Sequence, residues 1–274
     1  MHLSAAEVNQ YKERGWIDPF SVTNHDTTKK FRDLLFAAEK MVKLSKSDYR
    51  YKSNVLFKWV DDLSRNPKIV STVKELIGPD FHCWDTIFWI KWPNEGRDVS
   101  FHQDCTYWNF DKPEKAVNVW YTFTDVTLDH GPLEYYAGSH KLNALNHHDV
   151  KTNSNLLMRG QTATFDASDE PIKVTAAAGD VIIHHPYIVH GSGKNVCDTP
   201  RLCMSMIYAS TECKPILSVE PESTVMICGE DKYNYMMHDP RPTGVWDVDV
   251  KNWQAASDRQ HANYHSMKQR ANHV

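Results

Sequence analysis

No run of apolar residues in this sequence is long enough to cross a membrane, and none of its six cysteines forms a Cys-x-x-Cys pair. A spanning helix needs roughly 20 consecutive apolar residues, so the first absence excludes one. Cys83, Cys105, Cys197, Cys203, Cys213 and Cys228 are scattered along the chain. That scatter argues against a zinc ribbon or a disulfide framework and favours a reducing cytoplasm. The opening residues, Met1 to Glu7, lack the basic and apolar regions of a signal peptide. Dense Lys/Arg runs are missing too, and a net charge of -4 offers no electrostatic footprint for nucleic acid. Repeats, low-complexity tracts and clear linkers are absent. No coiled-coil pattern or apolar face speaks for an oligomer.

What is present is a 274-residue chain that is 41% hydrophobic and 24% charged, as in a soluble globular protein. Ser4-Ala5-Ala6-Glu7 is a capping box, which predicts a helix to about Arg14, stopped by Gly15. Apolar positions at helical period predict a second helix from Asp26 to about Leu44. A third opens at Asn66-Pro67 and ends before Gly78. From Phe81 the texture changes to short runs rich in aromatic and β-branched residues, separated by turns. These are Phe81–Trp92, Val99–Asp104, Val117–Asp125, Leu133–Tyr136, Ile172–Thr175, Val181–His184 and Leu202–Ala209. Such a pattern predicts a mainly β sandwich, jelly roll or barrel flanked by helices. From about Asp249 to Arg270 a polar helical pattern returns. The expected organisation is one domain over 1–274: a helical part to about 78, a β core of about 80–210 and a C-terminal extension of about 211–274.

The chemistry centres on Ser100-Phe101-His102-Gln103-Asp104. In a strand, residues i and i+2 share a face, so His102 and Asp104 would project together. An imidazole and a carboxylate supply two legs of a two-His-one-carboxylate triad, which leaves open positions on a non-haem iron(II). Among 15 histidines a lone His-x-Asp is a weak signal, and the chain contains a second at His147-His148-Asp149. That copy follows a polar stretch without strand pattern and reads as a solvated loop. For the third leg, His184, His185 and His190 compete. His190 opens the Gly/Ser-rich run His190-Gly191-Ser192-Gly193, where backbone can approach a ligand closely. Eleven residues on, Arg201 opens a strand, and its guanidinium could clamp the far carboxylate of a dicarboxylate in two-pronged fashion.

Taken together, these motifs resemble the phytanoyl-CoA dioxygenase family of iron(II)/2-oxoglutarate oxygenases. The likeness rests on His102-x-Asp104, His190-Gly-Ser-Gly-x-Asn195 and Arg201, in order. Ile90-Lys91-Trp92-Pro93, the strand Val119 to Thr127, Asp129-His130-Gly131-Pro132-Leu133-Glu134 and Ala137-Gly138-Ser139-His140-Lys141 agree with it. Asp129-His130 stands where Glu-Asn is common in that family, and Ala137 where Pro is common. The resemblance implies a double-stranded β-helix, a cupin-like jelly roll, with Fe(II) at its mouth on His102, Asp104 and His190. It further implies 2-oxoglutarate and O2 as cosubstrates. Arg201 would bind the C5 carboxylate, Trp120 and Asn118 would face 2-oxoglutarate, and Gly131 would line its pocket. Lys91 and Gln103 would lie near the site.

Retention of Asp104 favours hydroxylation over halogenation, since halogenases of this fold replace that carboxylate. A desaturase or cyclase could use the same ligands, and a non-catalytic metabolite-binding protein is the competing class. A zinc or manganese cupin enzyme is a third, which would not need Arg201. The expected substrate is a small polar metabolite, such as an amino acid, an amine or an aminophosphonate. Tyr107, Trp108 and Asn109 would lie close to it, and Trp84, Trp89 and Trp92 would add an aromatic wall. The short N-terminal part weighs against an acyl-CoA thioester.

Overall fold

A computed structural model describes residues 3–41, 49–108, 110–150, 152–157, 160–167 and 169–271. Helix α1 (Ala5–Arg14) begins with the capping box that the sequence predicts. Ser4 Oγ accepts from the Glu7 amide at 3.2 Å, and the Glu7 carboxylate accepts from the Ser4 amide at 2.7 Å. Gly15 ends the helix at φ 97°, where a Cβ would stand 2.4 Å from the Ile188 side chain. Helix α2 (His25–Met41) follows, while Leu44, the predicted end, lies outside the described residues. Two short helices, α3 (Ser53–Leu56) and α4 (Lys58–Ser64), have no periodic signal in the sequence. Helix α5 (Pro67–Ile77) starts as predicted, with the Asn66 side chain accepting from the Lys68 amide at 2.9 Å.

The strands are β1 (Trp16–Ser21), β2 (Phe81–Lys91), β3 (Val99–His102), β4 (Ala116–Thr122), β5 (Leu133–Tyr135), β6 (His147–Asp149), β7 (Gln161–Ala163), β8 (Ile172–Val174), β9 (Asp180–His184), β10 (His190–Ser192), β11 (Arg201–Ser210), β12 (Ser223–Cys228) and β13 (Met237–His238). One sheet has the order β1-β9-β4-β11-β2-β12-β13, a second the order β3-β10-β5-β8, and β6 pairs with β7. Two mostly antiparallel sheets closing on one cavity make this a double-stranded β-helix.

The large sheet is buried on both faces, which is why its strands read as nearly continuous apolar runs. On β4, Val117, Val119 and Tyr121 join Leu202, Met204, Met206 and Tyr208 of β11 in a core shared with Ile69, Val73 and Ile77 of α5. The alternate residues, Asn118 and Trp120 on β4 and Arg201, Cys203 and Ser205 on β11, therefore face the interior. Helix α6 (Trp246–Ala271) returns over the sheet and buries Trp253 and Ala256 in the same core.

Two expectations need correction. His147-His148-Asp149 is a short strand paired with β7, not a loop. The run ending at Asp104 stops being a strand at His102, and Asp104 opens a 3-10 turn. Strand β6 carries no apolar alternation to mark it, and its pairing with β7 is set by a neighbour distant in sequence.

Candidate metal centre

Gln103 keeps extended torsions (φ -111°, ψ 135°) between the end of β3 and the turn, so His102 and Asp104 still point the same way. Strand β10 lies beside β3 with His190 directly opposite His102. The two imidazoles stand 4.3 Å apart between ring centroids. Asp104 Oδ1 is 3.6 Å from His102 Nε2 and 3.8 Å from His190 Nε2. All three groups are buried, and their ligand atoms lie within 4.8 Å of one another.

Nδ1 of His102 donates to the Ser100 carbonyl at 2.9 Å, and Nδ1 of His190 to the Ile188 carbonyl at 3.1 Å. Those bonds fix the tautomers and leave both Nε2 lone pairs free for a cation. Burial, with the neighbouring His102 and His184, pushes the His190 pKa well below its usual value, so the ring is neutral. Burial alone would raise Asp104. The facing His190 and a hydrogen bond from His184 outweigh it and hold the carboxyl well below the usual range. Two imidazoles and one carboxylate form a donor set suited to iron(II), and one face of such a cation would remain free.

The three competing histidines separate in space. His190 joins His102 and Asp104. His184, at the end of β9, contacts the other carboxylate oxygen of Asp104, Oδ2, at 3.0 Å. His185 turns away to Tyr11 and His140, at ring separations of 5.8 and 5.1 Å.

A cavity opens beside the triad, and Arg201, Trp120, Asn118, Trp89 and Ser205 line it together with the triad residues. Arg201 is 1% exposed, yet none of the described carboxylates pairs with it. One η nitrogen donates to the Gly131 carbonyl, the Nε finds no partner, and the guanidinium lies 5.5 Å from the Trp120 ring centroid. A buried cation without an anion is costly unless a ligand supplies one. The cavity thus fits a small carboxylate that reaches from Arg201 toward the triad. Asn118 Oδ1 is a second buried polar atom without a partner.

Other site candidates fall elsewhere. Lys91 stands opposite Arg201 in register but donates to Ser192 Oγ at 2.7 Å and to the Ser192 carbonyl at 3.1 Å, strapping β10 to β2. Burial, helped by Arg201, brings its pKa down to about 6. Gln103 points away from the cavity, donating to the carbonyls of Asn143 and Tyr187 at 2.8 and 2.7 Å. Gly131 sits behind Arg201 as its acceptor rather than in the wall. Its φ is 65°, and a Cβ there would come within 2.2 Å of the Gly193 carbonyl oxygen. The Tyr107 ring meets His102 edge-on at 5.6 Å, whereas Trp108 is buried in an aromatic cluster with Trp84 and Phe110. Asn109 lies outside the described residues. Of the expected aromatic wall, Trp89 alone lines the cavity, its indole donating to Ser205 Oγ at 3.0 Å. Ser205 lies outside any sequence motif, although it shares strand parity with Arg201. No helix among the described residues is long and apolar enough to cross a membrane.

Against known proteins, the sequence model of the phytanoyl-CoA dioxygenase family matches residues 3–203. Rat peroxisomal phytanoyl-CoA dioxygenase is 25% identical over 241 residues, covering 78% of this chain and 70% of the rat enzyme. L-proline trans-4-hydroxylase of Streptomyces griseoviridis is 24% identical over 58% of this chain and 66% of its own length. Among solved structures, ThoJ, a non-haem monooxygenase, is similar with a TM-score of 0.84 at 24% identity, covering 96% of this chain and 98% of ThoJ.

Proposed function

The chain belongs to the phytanoyl-CoA dioxygenase family, and from that premise we propose that it hydroxylates an unactivated C–H bond of a small polar metabolite. It is an iron(II)- and 2-oxoglutarate-dependent dioxygenase. In such an enzyme the bound iron supplies the activation of dioxygen: 2-oxoglutarate, O2 and substrate become succinate, CO2 and hydroxylated substrate.

The protein's own contribution is positioning. His102, Asp104 and His190 would hold the metal. Arg201 receives the C5 carboxylate of 2-oxoglutarate, completing its own buried charge. Trp120 forms a flat apolar wall beside that chain and restricts water. The observation that carries this reading is a buried guanidinium without a carboxylate partner in the same cavity as a His, carboxylate, His cluster.

Two polar atoms support a polar substrate. Asn118 Oδ1 is an acceptor that 2-oxoglutarate, lacking donors at neutral pH, cannot satisfy. Ser205 Oγ already accepts from Trp89 and so has its own hydrogen to offer. A substrate with an amino or hydroxyl donor and a nearby acceptor would meet both, as an amino acid, an amine or an aminophosphonate does. The similar proline hydroxylase is named for a substrate of that kind.

Anaerobic Fe(II) titration and 2-oxoglutarate-dependent succinate release across a panel of small amines and amino acids test the proposal. His102→Ala and Asp104→Ala should each lose iron and succinate release together. Iron retention with full turnover in either variant would overturn the ligand assignment. Substrate-independent silence of the iron-loaded wild type across the panel would favour a binding protein.

A further inference from the structure

We propose that His184 is a positioning residue for the carboxylate ligand. With Asn118 and Tyr135 it holds Asp104 so that only one carboxylate oxygen faces the metal. The inference rests on the reading of His102, Asp104 and His190 as the iron ligands.

The two oxygens of Asp104 have different surroundings. Oδ1 is the atom close to the Nε2 atoms of His102 and His190. Oδ2 faces the opposite way and accepts two hydrogen bonds, from Asn118 Nδ2 at 2.8 Å and His184 Nε2 at 3.0 Å. An ionised carboxylate can only accept, so the proton on that contact belongs to His184 Nε2. In the neutral ring Nδ1 is then an acceptor, and the Tyr135 hydroxyl lies 2.8 Å from it. The directions form one consistent chain: Tyr135 O–H to His184 Nδ1, and His184 Nε2–H to Asp104 Oδ2. His184 has no lone pair left for a metal, which separates it from His102 and His190.

The clamp is built into the sheet. Strands β1, β9 and β4 are neighbours, and Trp16, His184 and Asn118 occupy one register row across them. Trp16 stacks on Tyr135 with centroids 4.9 Å apart and planes 12° apart, which fixes the phenol that orients His184. His184, Tyr135 and Asn118 are all nearly fully buried. A carboxylate with two unengaged oxygens is free to rotate and to take two positions on a cation. Two hydrogen bonds on Oδ2 oppose that rotation and keep one more position open for cosubstrate.

The test compares His184→Phe, His184→Gln and Tyr135→Phe with wild type. The readouts are the anaerobic Fe(II) dissociation constant and the visible charge-transfer band that 2-oxoglutarate gives on the iron-loaded protein, with thermal melts as a check on folding. His184→Phe should weaken Fe(II) by about 10- to 100-fold, the usual effect of losing a partner of a metal ligand, and should shift the band. The amide donor of His184→Gln should restore most of the affinity, and Tyr135→Phe should cost less than His184→Phe. An unchanged Fe(II) constant and band in His184→Phe would overturn the inference alone. Loss of metal as complete as in His102→Ala, with no rescue by Gln, would make His184 a ligand and overturn it too. Failure of the wild type to take up Fe(II) would overturn the ligand reading, and the inference with it.

Discussion

Buried charge lies against strand β2 at two places, and the two are answered differently. Near its end, beside Lys91, the Arg201 guanidinium has a carbonyl but no anion, and Asn118 Oδ1 has no donor. Near its start, Asp85 accepts from the amides of Lys52 and Thr86 at 2.8 and 2.7 Å and from Gln260 of α6 at 2.5 Å. The Lys52 ammonium donates to the carbonyls of Trp84 and Ser223. Glu222 accepts from Trp84 Nε1 at 3.1 Å and from Asn263 at 3.0 Å. In that second cluster every charged group has a protein partner, and the unpaired atoms left, Gln260 Oε1 and Ser223 Oγ, are neutral. A charge satisfied within the protein ties elements together, here α6 to the sheet. A buried guanidinium with an unmet N–H and no anion marks where a ligand belongs.

That contrast breaks most easily at Arg201. Arg201→Ala should weaken 2-oxoglutarate binding by roughly 100- to 3,000-fold, the equivalent of about 3–5 kcal/mol for a buried pair that loses one member. Without cosubstrate the same variant should melt no lower than wild type, because it removes a buried charge that no anion answers. Calorimetric titration with 2-oxoglutarate and a thermal melt of the ligand-free protein read the two halves. A destabilised ligand-free variant would mean that Arg201 is structural.

Asp85 should behave in the opposite way. Asp85→Ala should lower stability by about 3–5 kcal/mol in urea melts while leaving Fe(II) and 2-oxoglutarate affinities of the folded protein unchanged. Burial pushes the Asp85 carboxyl up to about 6 against the pull of Lys52. In the unfolded chain its value is about 4, so between pH 4 and 6 the native state holds a proton that the unfolded chain has released. The stability contributed by Asp85 is therefore fullest below about pH 4 and is lost as pH rises through about 6. Asp85→Asn should flatten that slope, and an unaltered slope would assign it to another group.

The smallest effect is expected at the second His-x-Asp. His147 Nε2 accepts from the Gln103 amide at 3.0 Å, bracing the turn that presents Asp104, and Asp149 accepts from Gln161 at 3.2 Å. His147→Ala and Asp149→Ala should keep full iron stoichiometry, with less than about a tenfold change in turnover, in keeping with a loss of about 1 kcal/mol of support. Loss of iron in either would put the metal at the wrong pair.

The difference between the two pairs was legible in the residues, although not for the right local reason. The flanks of His102 read as a strand and those of His147 as a loop, yet both end up in short strands. What separates them is the neighbour: β10 places His190 opposite His102, whereas β7 places Ala163 opposite His147. Lys91 and Gln103 show the converse. Their positions near the motif were right, but side-chain direction turned them into a strap and a strut.

Residue chemistry and local spacing singled out His102, Asp104, His190 and Arg201 as candidates, the family resemblance joined them into one set, and local patterns predicted a mainly β fold with capped helices. Ligand type, capping and strand alternation act over a few residues, so they leave their mark in the sequence itself. The roles of Trp16, Asn118, Tyr135 and His184 around one carboxylate oxygen, and of Lys52, Asp85 and Gln260 under α6, were decided only by the fold. Those residues meet through cross-strand register and helix docking over separations such as |i−j| 80 for His184 and Asp104 and 175 for Gln260 and Asp85. At such distances along the chain the contact depends on how all the intervening elements pack, and no local pattern records it.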